Sequence, residues 1–446
     1  MNGQRGLWAG IFVLAILAGC SKDKTLNVEG AYSPVILDLS TDFEPPVRGI
    51  SNALTAVVQN PRSYAITYHW SAASGVLADS TTQTVHWTPP DSIGQYGVTV
   101  SLQAHDDLNN VAFFKTRTFQ VYVNNEFTRW TRSIETQFDV VPPVNGRIYF
   151  SEIRNANTGQ SDVWALDTPL GAPTQITHDF WTATQPTVQS DGSRVVFVGK
   201  VRVGDKGPSL WQLPATGGDT TTAAVFVAFS DNSNHFLGGP RFEPTGSLVA
   251  YASDTTGANF FSPKGWIRDA GNPAAAPITV MPTTIINGST EKSNAFWNPS
   301  WRGSADSLVM ESYSGFGGLN PTSRGLYKFS AVGNPPTNPE PFQPWISSIL
   351  PLEPDWSPDG QHIVFSKRTV GRADRDIWII NAAASDIASA KLVCSGPADE
   401  FHPRFSSDGA SIYFVSNRAD AYGTNGFYDT ERRGINVWSV SRFDLP

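Results

Sequence analysis

The chain of 446 residues reads as all-β, a small β-sandwich followed by a six-bladed β-propeller, and three observations predict this. A unit made of a proline, a tight turn and an aromatic strand recurs through the last two thirds of the sequence. Ahead of it lie roughly 90 residues of short alternating apolar runs separated by Pro, Asp, Ser and Gly, the signature of a sandwich of about seven strands. Charged residues are only 16 % while aromatic residues reach 12 %, a balance suited to strands.

The clearest copy of the unit is Glu353 to Ile380. Pro354-Asp355-Trp356 and His362-Ile363-Val364-Phe365 are short β-branched and aromatic runs joined by Ser357-Pro358-Asp359-Gly360. Pro358 presets the first corner of a type I turn, Asp359 bonds backbone inside it, and Gly360 accepts positive φ without a steric cost. Asp376-Ile377-Trp378 then opens a third strand. The frame returns at Gln185-Pro186, Gly239-Pro240, Asn298-Pro299 and His402-Pro403, the prolines lying 49 to 59 residues apart. Each copy carries an aromatic third strand around Trp211, Trp266, Tyr327, Trp378 and Trp438, and a weaker first copy runs through Ile148-Tyr149-Phe150 and Asp162-Val163-Trp164. Repeats near this length, with about four short strands each, are the pattern of propeller blades, whose faces are buried by their neighbours.

The W-S-P-D-G and D-I-W elements over residues 127–446 resemble the TolB-type, WD-repeat-like six-bladed propeller. The likeness is weakest in the first copy, which has no such turn, and in the fourth, where Arg302-Gly303-Ser304-Ala305-Asp306 replaces it. What the resemblance implies is a non-enzymatic propeller that binds a protein partner. The chain departs from TolB-like proteins in carrying a sandwich where they have a small α/β domain.

Residues 1–20 read as a secretory signal: Arg5 is the positive start, Leu7 to Leu17 the apolar run and Leu17-Ala18-Gly19-Cys20 the processing site. That run is too short to span a bilayer. Leu-Ala-Gly-Cys resembles a bacterial lipobox, which implies lipidation of Cys20, attachment to a membrane and, with Ser21 following, the outer membrane of the cell envelope. With Cys20 acylated, Cys394 has no partner, and no disulfide framework is expected. Cys394 itself reads as a small buried hydrophobe on an outer strand. Residues 21–30 form a polar tether.

The sandwich is expected over 31–124, with strands near Leu54–Val58, Ile66–Trp70, Val85–Trp87, Tyr96–Leu102 and Phe119–Val123. Trp87-Thr88-Pro89-Pro90, Gly94-Gln95-Tyr96 and His105-Asp106-Asp107 resemble the bacterial immunoglobulin-like and polycystic-kidney-disease-type domains, which implies a spacer or adhesive module. Asn124-Asn125-Glu126 is a short linker to the propeller at 127–446. The final repeat ends after its third strand, so residues near 127–135 are expected to supply its fourth and to remove the open edges of an unclosed ring.

Function is sought on one face of the propeller. The S-P-D-G turns are uniformly short, whereas the loops Asp254–Lys264, Ser312–Arg324, Thr369–Arg375 and Asn417–Gly434 on the opposite face are long and carry Phe261, Phe316, Arg375, Phe427 and Arg432. Aromatics beside Arg and Asn suit protein hot spots or sugar stacking. The residues before the leading prolines, Gln185, Gly239, Asn298, Glu353 and His402, are expected to ring the channel mouth on that face, where a cation, a sugar or an inserted peptide would sit. His402 with Glu353 is the one acid/base pair to examine. No G-x-S-x-G, H-E-x-x-H, zinc-spaced Cys/His or P-loop pattern is present, so no catalytic residue, metal or cofactor is expected. A net charge of −8 argues against nucleic acid. The expectation is a non-enzymatic envelope lipoprotein with a protein partner; the alternative is a glycan binder or a polysaccharide lyase or hydrolase working at the mouth.

Overall fold

The structure, a computed structural model, describes residues 32–41, 46–108, 110–133, 135–155, 157–202, 207–227, 237–253, 264–279, 295–313, 325–330, 340–344, 352–368, 374–384, 386–394, 398–418 and 434–441. Cys20 and the tether, as well as Phe261, Phe316, Phe427 and Arg432, lie outside these residues.

The N-terminal part is two packed antiparallel sheets. One runs in the order Val35–Thr41, Asn52–Gln59, Thr84–Thr88, Val76–Ala78; the other in the order Ile66–Ala72, Gly94–Asp106, Val111–Val123. Alternation does the sorting, as in Gly94–Asp106, where Val98, Val100, Leu102 and Ala104 face inward and the residues between them do not. Trp70 and Trp87 fill the space between the sheets, and each indole N–H reaches a backbone carbonyl, Thr82 at 2.7 Å and Ser74 at 3.0 Å. These bonds allow the large apolar rings to be buried without an orphaned donor. The last two strands run well beyond the apolar stretches that signalled them: they are 13 residues each and pair over their whole length. Asp106, one of the acidic residues noted near the end of this region, is buried at the hairpin and accepts from the Tyr64 hydroxyl and the Leu108 N–H.

The rest is a propeller. Five antiparallel meanders run outward from the first strands Gln137–Val144, Thr182–Val188, Leu237–Phe242, Ala295–Trp301 and Leu352–Trp356, and a sixth from Glu400–Phe405. These first strands pack in sequence around a centre, and Glu400–Phe405 returns to pack on Gln137–Val144. The S-P-D-G turn forms as read, with Gly360 at φ +70° and its N–H 2.9 Å from the Ser357 carbonyl. Between meanders lie separate apolar clusters, such as Val364, Ile377, Ile379 and Val393 against Phe405, Ile412 and Phe414. Cys394 is fully buried there, and burial pushes its thiol well up.

The sixth meander contains Glu400–Phe405, Ile412–Ser416 and Asn436–Val440, and its fourth strand is Phe127–Arg129, from the other end of the fold. Trp130 continues the seam: its N–H bonds the Val437 carbonyl at 2.9 Å, its indole bonds Ser439 Oγ at 3.0 Å, and its ring packs on Tyr413. Asn436 Oδ1 takes the Ser133 N–H at 2.8 Å. The segment read as a linker is not a loose spacer. Asn124 and Asn125 are both fully buried; Asn124 exchanges backbone bonds with Pro46 and Arg48 of the sandwich, and Asn125 Nδ2 bonds the Val393 carbonyl of the fifth meander at 2.6 Å.

Candidate functional site

The five residues before the leading prolines share one backbone device. Gln185, Gly239, Asn298, Glu353 and His402 have φ of +51°, +62°, +46°, +56° and +52°, and each sits in a register shift of its first strand. A residue in the left-handed region beside an X-Pro bond makes a bulge, which takes the local N–H out of its own sheet and aims it at the neighbouring meander. Four non-glycine residues held there cost of order 1 kcal/mol or more each, so the surroundings must enforce the bend.

Side chains of the preceding meander do so at four of the five positions. Gln185 N–H lies 3.2 Å from Asp139 Oδ2 and 3.1 Å from Ser151 Oγ; Gly239 N–H bonds Gln185 Oε1 at 2.7 Å; Glu353 N–H bonds Glu311 Oε2 at 2.5 Å; and His402 N–H bonds Glu353 Oε2 at 2.8 Å. A second tier of N–H donors repeats the pattern three residues on. Phe242 N–H goes to Thr187 Oγ1, Trp356 N–H to Ser300 Oγ and Phe405 N–H to Asp355 Oδ2, at 2.9 to 3.0 Å, with Ser300 Oγ also donating to Asp355 Oδ1. Much of the polar lining thus works as stitching between meanders.

The seam between the sixth and first meanders is closed on the inside by His402. Its Nε2 lies 3.3 Å from Glu353 Oε1 and its Nδ1 3.1 Å from Asp139 Oδ1, the latter off the line of a hydrogen bond. The structure therefore brings the expected pair, His402 and Glu353, within reach, together with Asp139. The two carboxylates lie on opposite sides of the ring and do not converge on a single point. Among the described residues no group of three or more His, Cys, Asp or Glu is arranged to hold a metal ion.

Burial sets the protonation of this cluster. Glu311 is pushed up to about 8, first by desolvation and then by the nearby Glu353 charge, so it is largely neutral at pH 7. Asp355 is raised by burial to about 6, and burial also raises Asp139. Glu353 suffers the same desolvation, yet His402 and Arg375 outweigh it and hold the carboxyl below its ordinary value. Arg375, expected on the loop face, does lie at the start of a third strand; it grips Asp399 with two nitrogens at 2.9 and 3.0 Å, touches Glu353 at 3.3 Å and stacks over the Phe401 ring.

The X-Pro pattern pointed to Gln185, Gly239, Asn298, Glu353 and His402 but missed Asp139, Glu311, Arg241, Asp355 and Arg404. The last three occupy the position after the proline, where one polar residue interrupts an apolar strand. That interruption was visible. Asp139 lies in the first strand of the weakest copy, two residues ahead of its Val141-Pro142 pair rather than beside it, and Glu311 comes from a second strand.

No family model matches the chain, and no curated protein matches it. Among solved structures, similar ones include TolB from Acinetobacter baumannii, with 14 % identity, 78 % of each chain covered and a TM-score of 0.44. An oligogalacturonate lyase in complex with manganese gives 13 % identity, 93 % of this chain, 98 % of that one and a TM-score of 0.43. An auxiliary nutrient binding protein from Bacteroides thetaiotaomicron gives 8 %, 90 %, 97 % and 0.44. Scores this low assign no chemistry, and the architecture rests on the strand pairing described above.

Proposed function

We propose that the chain is a non-enzymatic protein of the bacterial envelope, lipid-anchored through Cys20 to the outer membrane, whose six-bladed TolB-like propeller is a scaffold for a protein partner and whose immunoglobulin-like sandwich holds it at a distance. The observation that carries the binding role is the division of labour on the mouth face. The mouth side chains are committed to stitching the meanders together, which makes a rigid rim, and Arg375 with Phe401 stands on that rim at the start of a strand fed by one of the long loops. A rigid scaffold with long loops on one side is where recognition concentrates.

A second reading has one observation in its favour, the His402–Glu353 approach at 3.3 Å. It makes the mouth a glycan site, with lyase or hydrolase chemistry as its extreme form.

Crosslinking in the native envelope, purification in mild detergent and mass spectrometry separate the two. A stoichiometric protein partner, lost when the loops at 312–324 and 417–434 are shortened, is the expected result. Recovery of the protein alone, together with turnover of an envelope polysaccharide that His402→Ala abolishes, overturns the scaffold reading.

A further inference from the structure

One face of the sandwich has no part in the propeller's role. In the sheet Ile66–Ala72, Gly94–Asp106, Val111–Val123, alternate residues point away from the core, and none of these outward positions holds Asp, Glu, Lys or Arg, in a chain that is 16 % charged. The charged residues of the three strands, Asp106, Lys115 and Arg117, all fall on the inward phase. Outward hydroxyls stand in register across the strands: His69, Ser101 and Thr116 form one rung and Ser71, Thr99 and Thr118 the next. They bond in pairs, Thr99 Oγ1 with Thr118 Oγ1 at 2.8 Å and Ser101 Oγ with Thr116 Oγ1 at 2.9 Å. Each pair spends one hydroxyl hydrogen and leaves the other, with lone pairs, for a molecule lying on the sheet. Rungs of one face recur about 6.8 Å apart along a strand, and the outward position before Thr116 is Phe114, which is 67 % exposed. The free edge of Val111–Val123 is guarded against strand addition by its inward-phase charges: Arg117 donates to the Ile36 carbonyl at 3.1 Å and to the Leu37 carbonyl of the other sheet, with its guanidinium 4.7 Å from the Phe119 ring centre. The surface on offer is therefore the face, not the edge.

The chemistry of this face narrows its occupant. Nucleic acid, anionic lipid and acidic peptides are held by Lys and Arg, and the face offers neither. Protein hot spots centre on Trp, Tyr and Arg and are poor in Ser and Thr, the residues that form the rungs here. A sugar ring has an apolar side and a rim of hydroxyls that both donate and accept, so it meets Phe114 with the one and the paired hydroxyls with the other. Rungs that repeat along the strand suit a ligand that repeats as well. We propose that this face of the sandwich binds an uncharged polysaccharide, laid along Val111–Val123 with a sugar ring on Phe114 and its hydroxyls on Thr116 and Thr118. The site goes beyond the scaffold role of the propeller and does not rest on it.

The test is affinity electrophoresis of the full-length protein in native gels containing hydroxyethyl cellulose, glycol chitin, galactomannan or amylopectin, with carboxymethyl cellulose as the charged comparator. Expected is retardation by at least one of the four uncharged polymers, with apparent affinity about tenfold or more weaker for Phe114→Ala and for the double variant Thr116→Val, Thr118→Val, which keeps the β-branched shape and removes both hydroxyls. Carboxymethyl cellulose should not retard the protein, because its carboxylates meet no cation on the face. Melting curves establish that the variants are folded; should the double variant fail to fold, Phe114→Ala, at an exposed position, decides. Migration unaltered by all four uncharged polymers, or equal retardation in carboxymethyl cellulose, overturns the proposal and leaves the face as the solvated side of a sandwich. Retardation that both sandwich variants keep also overturns it, and if His402→Ala then abolishes that retardation the glycan belongs to the propeller mouth.

Discussion

Replacing Glu311 by Gln removes an ionisable proton from the most perturbed carboxyl of the mouth while keeping its shape. Glu311 accepts from Asn298 Nδ2 on one oxygen and from the Glu353 N–H on the other. The substituted amide keeps one acceptor, and a flip of the Asn298 amide supplies an oxygen for the new NH2. The native pKa of about 8 stands above the ordinary 4.5, so the folded protein holds this proton more tightly than the unfolded chain. Stability from this group is therefore intact below about pH 4.5, declines as pH rises through the interval to about 8, and is level beyond it. The whole interval corresponds to a ceiling on the order of 5 kcal/mol. Part of it belongs to the coupling with Glu353, so about 2 kcal/mol is the expected gain of Glu311→Gln over the parent at pH 8.5, or roughly 4 °C in the propeller melt. Asp355 and Glu400, raised to about 6 and about 7, weaken both proteins in the same direction. The measurement is therefore the difference between the two melting curves at pH 5, 6, 7 and 8.5 by scanning calorimetry. A difference that stays flat across that range, or turns against the variant as pH rises, refutes the argument that Glu311 is buried neutral.

Three further outcomes are expected. Gly239→Ala, at φ +62° with the Asn298 backbone 3.2 Å from the new methyl, should cost about 1–3 kcal/mol in chemical denaturation; a neutral substitution means the bulge is not enforced. Ser300→Ala strips the Trp356 N–H of its acceptor and Asp355 of a donor, with a loss of about 1–3 kcal/mol, and Ser300→Thr should restore most of it. Asn125→Ala removes the side-chain bond to Val393 in a fully buried position; it should cost about 1–3 kcal/mol, read as a lower first transition of the melt, and an unchanged melt would show that the contact couples nothing.

What the sequence disclosed and what it withheld follow from how each residue is signalled. Proline punctuates a strand, so Gln185, Gly239, Asn298, Glu353 and His402 announced themselves as one structural position even though nothing local said that their backbone would bend into the left-handed region. Strand periodicity announced the sandwich core through Trp70, Trp87 and Val100, but it could not say that Gly94–Asp106 and Val111–Val123 run on for 13 residues. Pairing length is decided by the partner strand, not by the run itself. The partnership of His402 with Asp139 joins residues from the last and first meanders, a distance along the chain that no window of sequence spans. Glu311 was hidden for another reason: an acidic residue inside Leu308-Val309-Met310-Glu311 looks like a strand end, and only its burial in the closed ring, with Glu353 returning beside it, makes it a neutral acid.

The strand Phe127–Arg129 has a consequence for the order in which the protein acquires its structure. It is made before any meander and completed by Asn436–Val440, some 300 residues later; the Trp130–Ser439 bond alone spans 309. Contacts this remote form slowly because the intervening loop must be closed before they repay its entropy. During synthesis, therefore, the first strand waits unpaired while the meanders accumulate behind it, and an exposed edge of that kind is an aggregation template. The buried Asn124–Asn125 joint ties the waiting strand to a sandwich whose strands pair only among themselves within residues 35–123, which can fold first and hold it in place. The sandwich would then act as an intramolecular guardian of the unfinished ring, a kinetic role that leaves no trace in the finished molecule except its position ahead of the propeller.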